Sequence, residues 1–243
     1  MKLLRLIHCF SFLLVQFLWQ GRPLHASPGD FHRLRSFSPK KLEEFAKNVR
    51  QNLEYGNLNL RVKVRLYEPL KSDSQKFGEI LYRNSSRNQK VRAVFGDREC
   101  KVSHYKGQIT KSSNGESFQI NVPLFDDLLL TPQDLLLSFS WNDSYEYFGE
   151  AKVAGRPVHQ FIRYEKDSIN GIEYASILAF VDIKYMIILQ IDFLNDVSIP
   201  VRRLSVGSFK NFDGIWMPKI VEIMDLRGHR RTKLEILSVE MEN

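Results

Sequence analysis

Residues Glu173–Leu194 read EYASILAFVDIKYMIILQIDFL. The stretch reads as two strands, Glu173–Lys184 and Tyr185–Leu194, joined in a hairpin at Lys184-Tyr185. In an extended chain, successive side chains point to opposite faces. Tyr174, Leu178 and Phe180 then share one side, and Ala175, Ile177, Ala179 and Val181 the other. Met186 and Ile188 oppose Ile187, Leu189, Ile191 and Phe193 in the same way. An antiparallel strand with one wet face alternates apolar with polar residues. These strands do not, so both of their faces are covered, by helices, by a second sheet or by an apolar ligand.

The surroundings of this stretch are strand-rich. Tyr145–Val153, Pro157–Lys166, Pro200–Lys210, Ile215–Asp225 and Thr232–Glu240 all read as strands, with turn residues such as Gly155, Asn170-Gly171, Asn195-Asp196, Asp213-Gly214 and Gly228 between most of them. Helical signals are nearly absent from this half, which predicts an antiparallel meander closing into a barrel or a deeply curved sheet. Further upstream, Leu58, Leu60, Val62, Val64 and Leu66 alternate with Asn57, Asn59, Arg61, Lys63 and Arg65, the signature of a half-buried strand. Shorter strands are predicted at Phe77–Arg83, Val91–Phe95, Cys100–Tyr105 and Ser117–Val122, with a hairpin around Asn114-Gly115. Phe125–Phe139, FDDLLLTPQDLLLSF, interrupts the rhythm. Thr131 is placed as an N-cap, Pro132 at the first helical position and Asp134 in the first turn. Leu135, Leu136 and Phe139 give this helix an apolar face. A second helix is predicted after Ser38-Pro39, where Leu42, Phe45, Ala46, Val49 and Leu53 recur at helical spacing.

The N-terminus carries Lys2 and Arg5, then an apolar run from Leu6 to Trp19, then the small residue Ala26. This is the layout of a secretory signal peptide, and the run is shorter than the roughly 20 residues that span a bilayer. The expected organisation is a signal peptide over 1–26, a linker over 27–39 and a single domain over 40–243. Cleavage after Ala26 removes Lys2, Arg5 and Arg22 and no acid, so 35 basic residues become 32 against 28 acidic ones and +7 becomes +4. It also removes Cys9 and leaves Cys100 alone, so no internal disulfide is available to the mature chain.

Chemistry-bearing motifs are missing. His32, His104, His159 and His229 show no metal spacing, and there is no HExxH, CxxC, phosphate loop or GxSxG elbow. Asp126 and Asp127 are adjacent and diverge. Asp182 and Asp192 are positioned to face each other across a hairpin, with nothing to mark them as catalytic. The sequence therefore points to no enzymatic reaction and no cofactor or metal. The basic residues are spread out, in Arg61, Lys63 and Arg65, in Arg202-Arg203 and in Arg227–Lys233, and read as solvated faces. Export argues against nucleic acid as a partner and leaves an anionic membrane surface or an acidic protein.

From Val91 to Val239 the chain resembles the bacterial outer-membrane lipoprotein-sorting proteins, the LolA-like family. The resemblance is carried by the order of several pieces. These are the DLLL segment leading into Thr131–Phe139, Tyr145-Glu146-Tyr147 before Gly155-Arg156-Pro157-Val158, and the strand pair about Tyr185. Ile199-Pro200-Val201-Arg202, Gly214-Ile215-Trp216-Met217-Pro218-Lys219 and Arg231-Thr232-Lys233-Leu234-Glu235-Ile236 complete it. It implies an α+β, mainly β fold: a curved antiparallel half-barrel of about eleven strands covered by lid helices; carriers of that family latch the lid with an arginine, and no motif here marks its equivalent. It implies a periplasmic carrier that shelters lipoprotein acyl chains, or another lipid, in an apolar cavity for sorting to the outer membrane. The alternative is a periplasmic sensor or binding module for lipidated or misfolded envelope proteins that does not transport them. Partners would be acyl chains, inner- and outer-membrane sorting proteins and a transiently contacted membrane, with the protein a monomer. The expected cavity lining is Leu60, Val62, Val64, Phe118, Ile120, Leu135, Phe139, Tyr147, Phe161, Leu178, Phe180, Leu189, Ile191 and Trp216.

Overall fold

Strand β1 (Leu58–Tyr67) shows the alternation expected of it, with Leu58, Leu60, Val62, Val64 and Leu66 buried and Arg61 and Arg65 exposed. The computed structural model describes residues 57–85, 88–105, 108–113, 116–117, 128–131, 134–135, 145–169 and 171–241. The predicted signal peptide, the linker and the helix after Pro39 lie outside the described residues. So does the helix predicted after Thr131, apart from Asp134 and Leu135.

A meander follows β1 at one end of the chain: β2 (Ser74–Ser85), β3 (Asn88–Phe95), β4 (Arg98–Tyr105), β5 (Gln108–Ser113) and β6 (Glu116–Ser117). A second meander comprises β7 (Glu146–Val153), β8 (Arg156–Ile169), β9 (Ile172–Asp182), β10 (Ile188–Leu194), β11 (Pro200–Phe212), β12 (Ile215–Asp225) and β13 (Arg230–Met241). The two are joined by antiparallel pairing of β1 with β13, from Leu58 opposite Met241 to Tyr67 opposite Arg231. The result is a single open sheet in the order β6-β5-β4-β3-β2-β1-β13-β12-β11-β10-β9-β8-β7. It counts thirteen strands; without the six-residue β5 and the two-residue β6 at one edge it counts the eleven that were expected. No second sheet is present among the described residues. The strong right-handed twist of so large a sheet makes it curl.

Bulges decide which side chains share a face. A register shift between Ile188 and Gln190 puts Ile188 opposite Val181 but Gln190 opposite Phe180. Leu189 therefore does not lie with Ile191 and Phe193 as simple alternation predicts. Ile188, Ile191 and Phe193 join one cluster, and Leu189 with Ile187 joins another. Gly78 is dictated by a close approach: a β-carbon there would run into the Val94 carbonyl and the Phe95 ring on the neighbouring strand.

The larger cluster occupies one face from β4 through β1 and β13 to β8. Leu128, Leu129, Leu130 and Leu135 pack on this face, which is termed the concave one. The smaller cluster, Val158, Ile162, Leu178, Phe180, Leu189 and Leu194, occupies the opposite face over β8–β10.

Candidate functional site

The concave face is built by cross-strand neighbours. Leu60, Ile80 and Ala93 face one another across β1, β2 and β3, and Ile191, Leu204, Ile223 and Thr232 run across β10 to β13. All are at most 3 % exposed. Pairs of this kind are what stabilise a sheet face, and here they form a continuous apolar floor.

Leu128–Leu130 and Leu135 lie on that floor, each under 5 % exposed. The segment is held by hydrogen bonds from three separate strands. Thr232 on β13 accepts from the Leu129 amide at its Oγ1 (3.1 Å), and the Tyr82 hydroxyl on β2 donates to the Leu135 carbonyl (3.1 Å). Arg202 on β11 donates through Nη2 to the Leu129 carbonyl (3.2 Å) and to Asp134 Oδ2 (2.6 Å). Asp134 Oδ2 also accepts from the amide (2.7 Å) and hydroxyl (2.8 Å) of Thr131, while Thr131 Oγ1 accepts from the Asp134 amide (3.4 Å). That reciprocal Thr–Asp arrangement is a capping box, as the N-cap placement of Thr131 predicts.

Arg202 and Asp134 are both nearly inaccessible, with side chains 2 % and 1 % exposed. The guanidinium also sits 5.0 Å from the centre of the Phe193 ring. Arg202 thus fastens this segment to the sheet from within the apolar floor. Its signal was present in the sequence: Arg202 alternates in phase with Leu204 on a strand that continues an apolar face, so one member of the Arg202-Arg203 pair has to point inward.

Near the β7 edge of the same floor lies an aromatic group. The rings of Tyr147, His159 and Phe161 meet edge to face at 5.6–6.3 Å, and the Tyr147 hydroxyl lies 3.4 Å from His159 Nδ1. Burial holds the His159 pKa below that of an ordinary histidine and raises those of Tyr147 and Tyr145. Arg163 stacks over Tyr145 at 5.4 Å and pairs with Glu165.

The other face carries its own buried ions. Arg203 binds Asp192 with both arms, Nε to Oδ1 at 2.6 Å and Nη2 to Oδ2 at 2.8 Å, and Gln190 adds a third donor at 3.0 Å. Burial raises the Asp192 pKa and the Arg203 hydrogen bonds pull against it. Asp182 does not face Asp192. It closes the β9–β10 turn by accepting from the Lys184 and Tyr185 amides and binds Arg156 at 2.7 Å. Among the described residues no group of histidine, cysteine or carboxylate side chains is arranged to hold a metal. A partly open cavity of about 780 Å³ lies at the ends of these strands, lined by Lys166, Glu173, Tyr174, Val201 and Arg227 among others.

Of the expected lining residues, Leu60, Val62, Val64, Leu135, Phe161 and Ile191 belong to the concave cluster, and Tyr147 packs against it. Leu178, Phe180 and Leu189 lie on the opposite face, the first two by strand parity and Leu189 by the β10 bulge. Trp216 is 60 % exposed beside the β11–β12 turn. Phe118, Ile120 and Phe139 lie outside the described residues.

Solved structures share this architecture. A domain from Vibrio parahaemolyticus, described as an outer-membrane lipoprotein-sorting protein domain, superposes with a TM-score of 0.69 at 13 % identity, covering 85 % of this chain and 94 % of that one. A DUF1329 family protein from Desulfovibrio piger gives 0.67 at 15 % identity, with 84 % and 92 % covered. A LolA-superfamily protein from Nitrosomonas europaea gives 0.60 at 10 % identity, with 83 % and 93 % covered. No curated protein sequence matches the chain. Residues 108–243, more than half of the chain, match the model of a family described only as "Uncharacterized protein". The chain belongs to that family, and its fold is the one seen in the LolA superfamily and in outer-membrane lipoprotein-sorting domains.

Proposed function

We propose that this protein is a non-enzymatic periplasmic carrier that binds lipoprotein acyl chains, or another lipid, on its concave face for sorting to the outer membrane. The observation that carries the reading is the leucine segment 128–135 lying on an apolar floor and fastened there by Arg202 and Asp134. Those leucines occupy ground that an acyl chain would fill. They also keep the floor from standing open to water when no ligand is bound.

The energies suit an exchange. A sixteen-carbon chain gains about 12 kcal/mol on leaving water, at about 0.8 kcal/mol per methylene. Displacing four buried leucines costs about 1.5–3 kcal/mol each. A single chain and the leucine segment are closely matched, whereas two or three chains win clearly. A ligand that carries several acyl groups is therefore preferred, and release needs an acceptor that offers comparable burial. The likeness to a lipoprotein-sorting domain and to a LolA-superfamily protein supports the same direction at the level of fold.

The test is titration of the purified exported protein with a triacylated peptide and with a fluorescent fatty acid. Saturable uptake near 1:1, stronger for the triacylated peptide, is the expected result. No uptake of either ligand would overturn the carrier reading. Depletion in cells then separates carriage from sensing, because loss of a carrier strands lipoproteins in the inner membrane.

A further inference from the structure

Arg202 is one end of a row. On the concave face, Arg163 of β8 lies opposite Ile177 of β9, Ile177 opposite Phe193 of β10, and Phe193 opposite Arg202 of β11. Two arginines thus sit on one line across the apolar floor, three strand spacings or about 14 Å apart. Arg202 is 2 % exposed and Arg163 9 %. Charges buried in such a place are costly unless they are fully partnered.

They are not fully partnered. Five buried side-chain polar atoms among the described residues have no hydrogen-bond partner, and three of them belong to this row and its clamp: Arg163 Nε, Arg202 Nη1 and Asp134 Oδ1. The unmet demand is therefore concentrated where the ligand would lie. Arg202 already serves Leu129 and Asp134. Arg163 has Glu165, whose side chain is 42 % exposed, and the face of the Tyr145 ring, and its Nε donor remains unused.

We propose that Arg163 is the polar anchor of the acyl site, receiving through Nε an acceptor oxygen at the head of the bound chain, either a carboxylate or an ester carbonyl. This rests on the carrier reading and adds the ligand's polar end to it. The apolar floor holds the chain without regard to its head group, and Arg163 supplies the discrimination. The remaining floor between the two arginines, Ile177 and Phe193, is apolar and receives the chain itself.

The experiment compares equilibrium binding of oleic acid, methyl oleate and oleyl alcohol by the full exported protein and by Arg163→Met and Arg163→Lys. The native protein is expected to bind oleic acid or methyl oleate at least tenfold more tightly than oleyl alcohol. Whichever of the two is favoured identifies the head group. Arg163→Met should abolish that preference while leaving oleyl alcohol within twofold, and Arg163→Lys should restore part of it. An equal loss of all three ligands in Arg163→Met, or an unchanged preference, would overturn the anchor while the carrier reading stands. Absence of binding of all three by a native protein that still takes up the triacylated peptide would overturn the anchor alone, and absence of uptake of that peptide as well would bring down both.

Discussion

Arg202 and Arg203 are neighbours in the chain and opposites in the structure. Both bind a buried carboxylate. Arg203 reaches Asp192 on the adjacent strand, with both arms engaged, so its pair fastens two strands that backbone hydrogen bonds already join. Arg202 reaches Asp134, 68 residues away in sequence, and fastens a segment that is no part of the sheet. The first pair stiffens what is already fixed, whereas the second holds the segment that the proposed carrier function requires to leave.

The largest effect should follow from Arg202→Ala. Removing one partner of a fully buried pair costs about 3–5 kcal/mol, read by urea denaturation. Amide exchange should rise specifically in 128–135, and an increase spread evenly over the sheet would abolish the distinction drawn above. Arg203→Ala should cost less, about 1–3 kcal/mol for a buried acceptor left short of its donors, because the Arg203 side chain is 17 % exposed and Gln190 still reaches Asp192. Exchange in 128–135 should stay unchanged in that variant.

Replacing the pair as a whole, Arg202→Met with Asp134→Leu, should be milder than Arg202→Ala because no buried charge is left alone. The remaining loss, about 1–3 kcal/mol, reflects the Thr131 donors and the Leu129 carbonyl left without partners, and a double variant no more stable than Arg202→Ala would mean that the ion pair itself matters little. The smallest effect concerns His159. Its pKa is held below 6.5 by burial, so the unfolded chain takes up its proton first as pH falls. Stability should decline gently from pH 7 toward pH 5, and His159→Gln should flatten the part of that slope due to this ring in melting curves.

Much of the fold was legible in the pattern of apolar residues. The alternation Leu58 to Leu66 is one-sided because one face of β1 is wet, and the unbroken runs around Tyr174 and Ile188 are two-sided because β9 and β10 are buried on both faces. The site was only half legible. Strand parity survives until a bulge, and the extra residue between Ile188 and Gln190 moved Leu189 away from Ile191. No residue type announces such a bulge. Trp216 was expected in the cavity lining, yet beside a two-residue turn it is 60 % exposed. Arg202 hid in a charged doublet, where composition suggests surface and only phase reveals the interior.

The pairing of β1 with β13 has a consequence for how the molecule is made. It is the single seam between two meanders, and it joins the first described strand to the last. Until Arg230–Met241 is in place, β1 and β12 each present an unpaired edge, the kind of surface that templates aggregation. Sheets closed by such distant partners also assemble slowly. A chain cut short before β13 would lose the join itself, and two raw-edged meanders would remain where there had been one continuous floor.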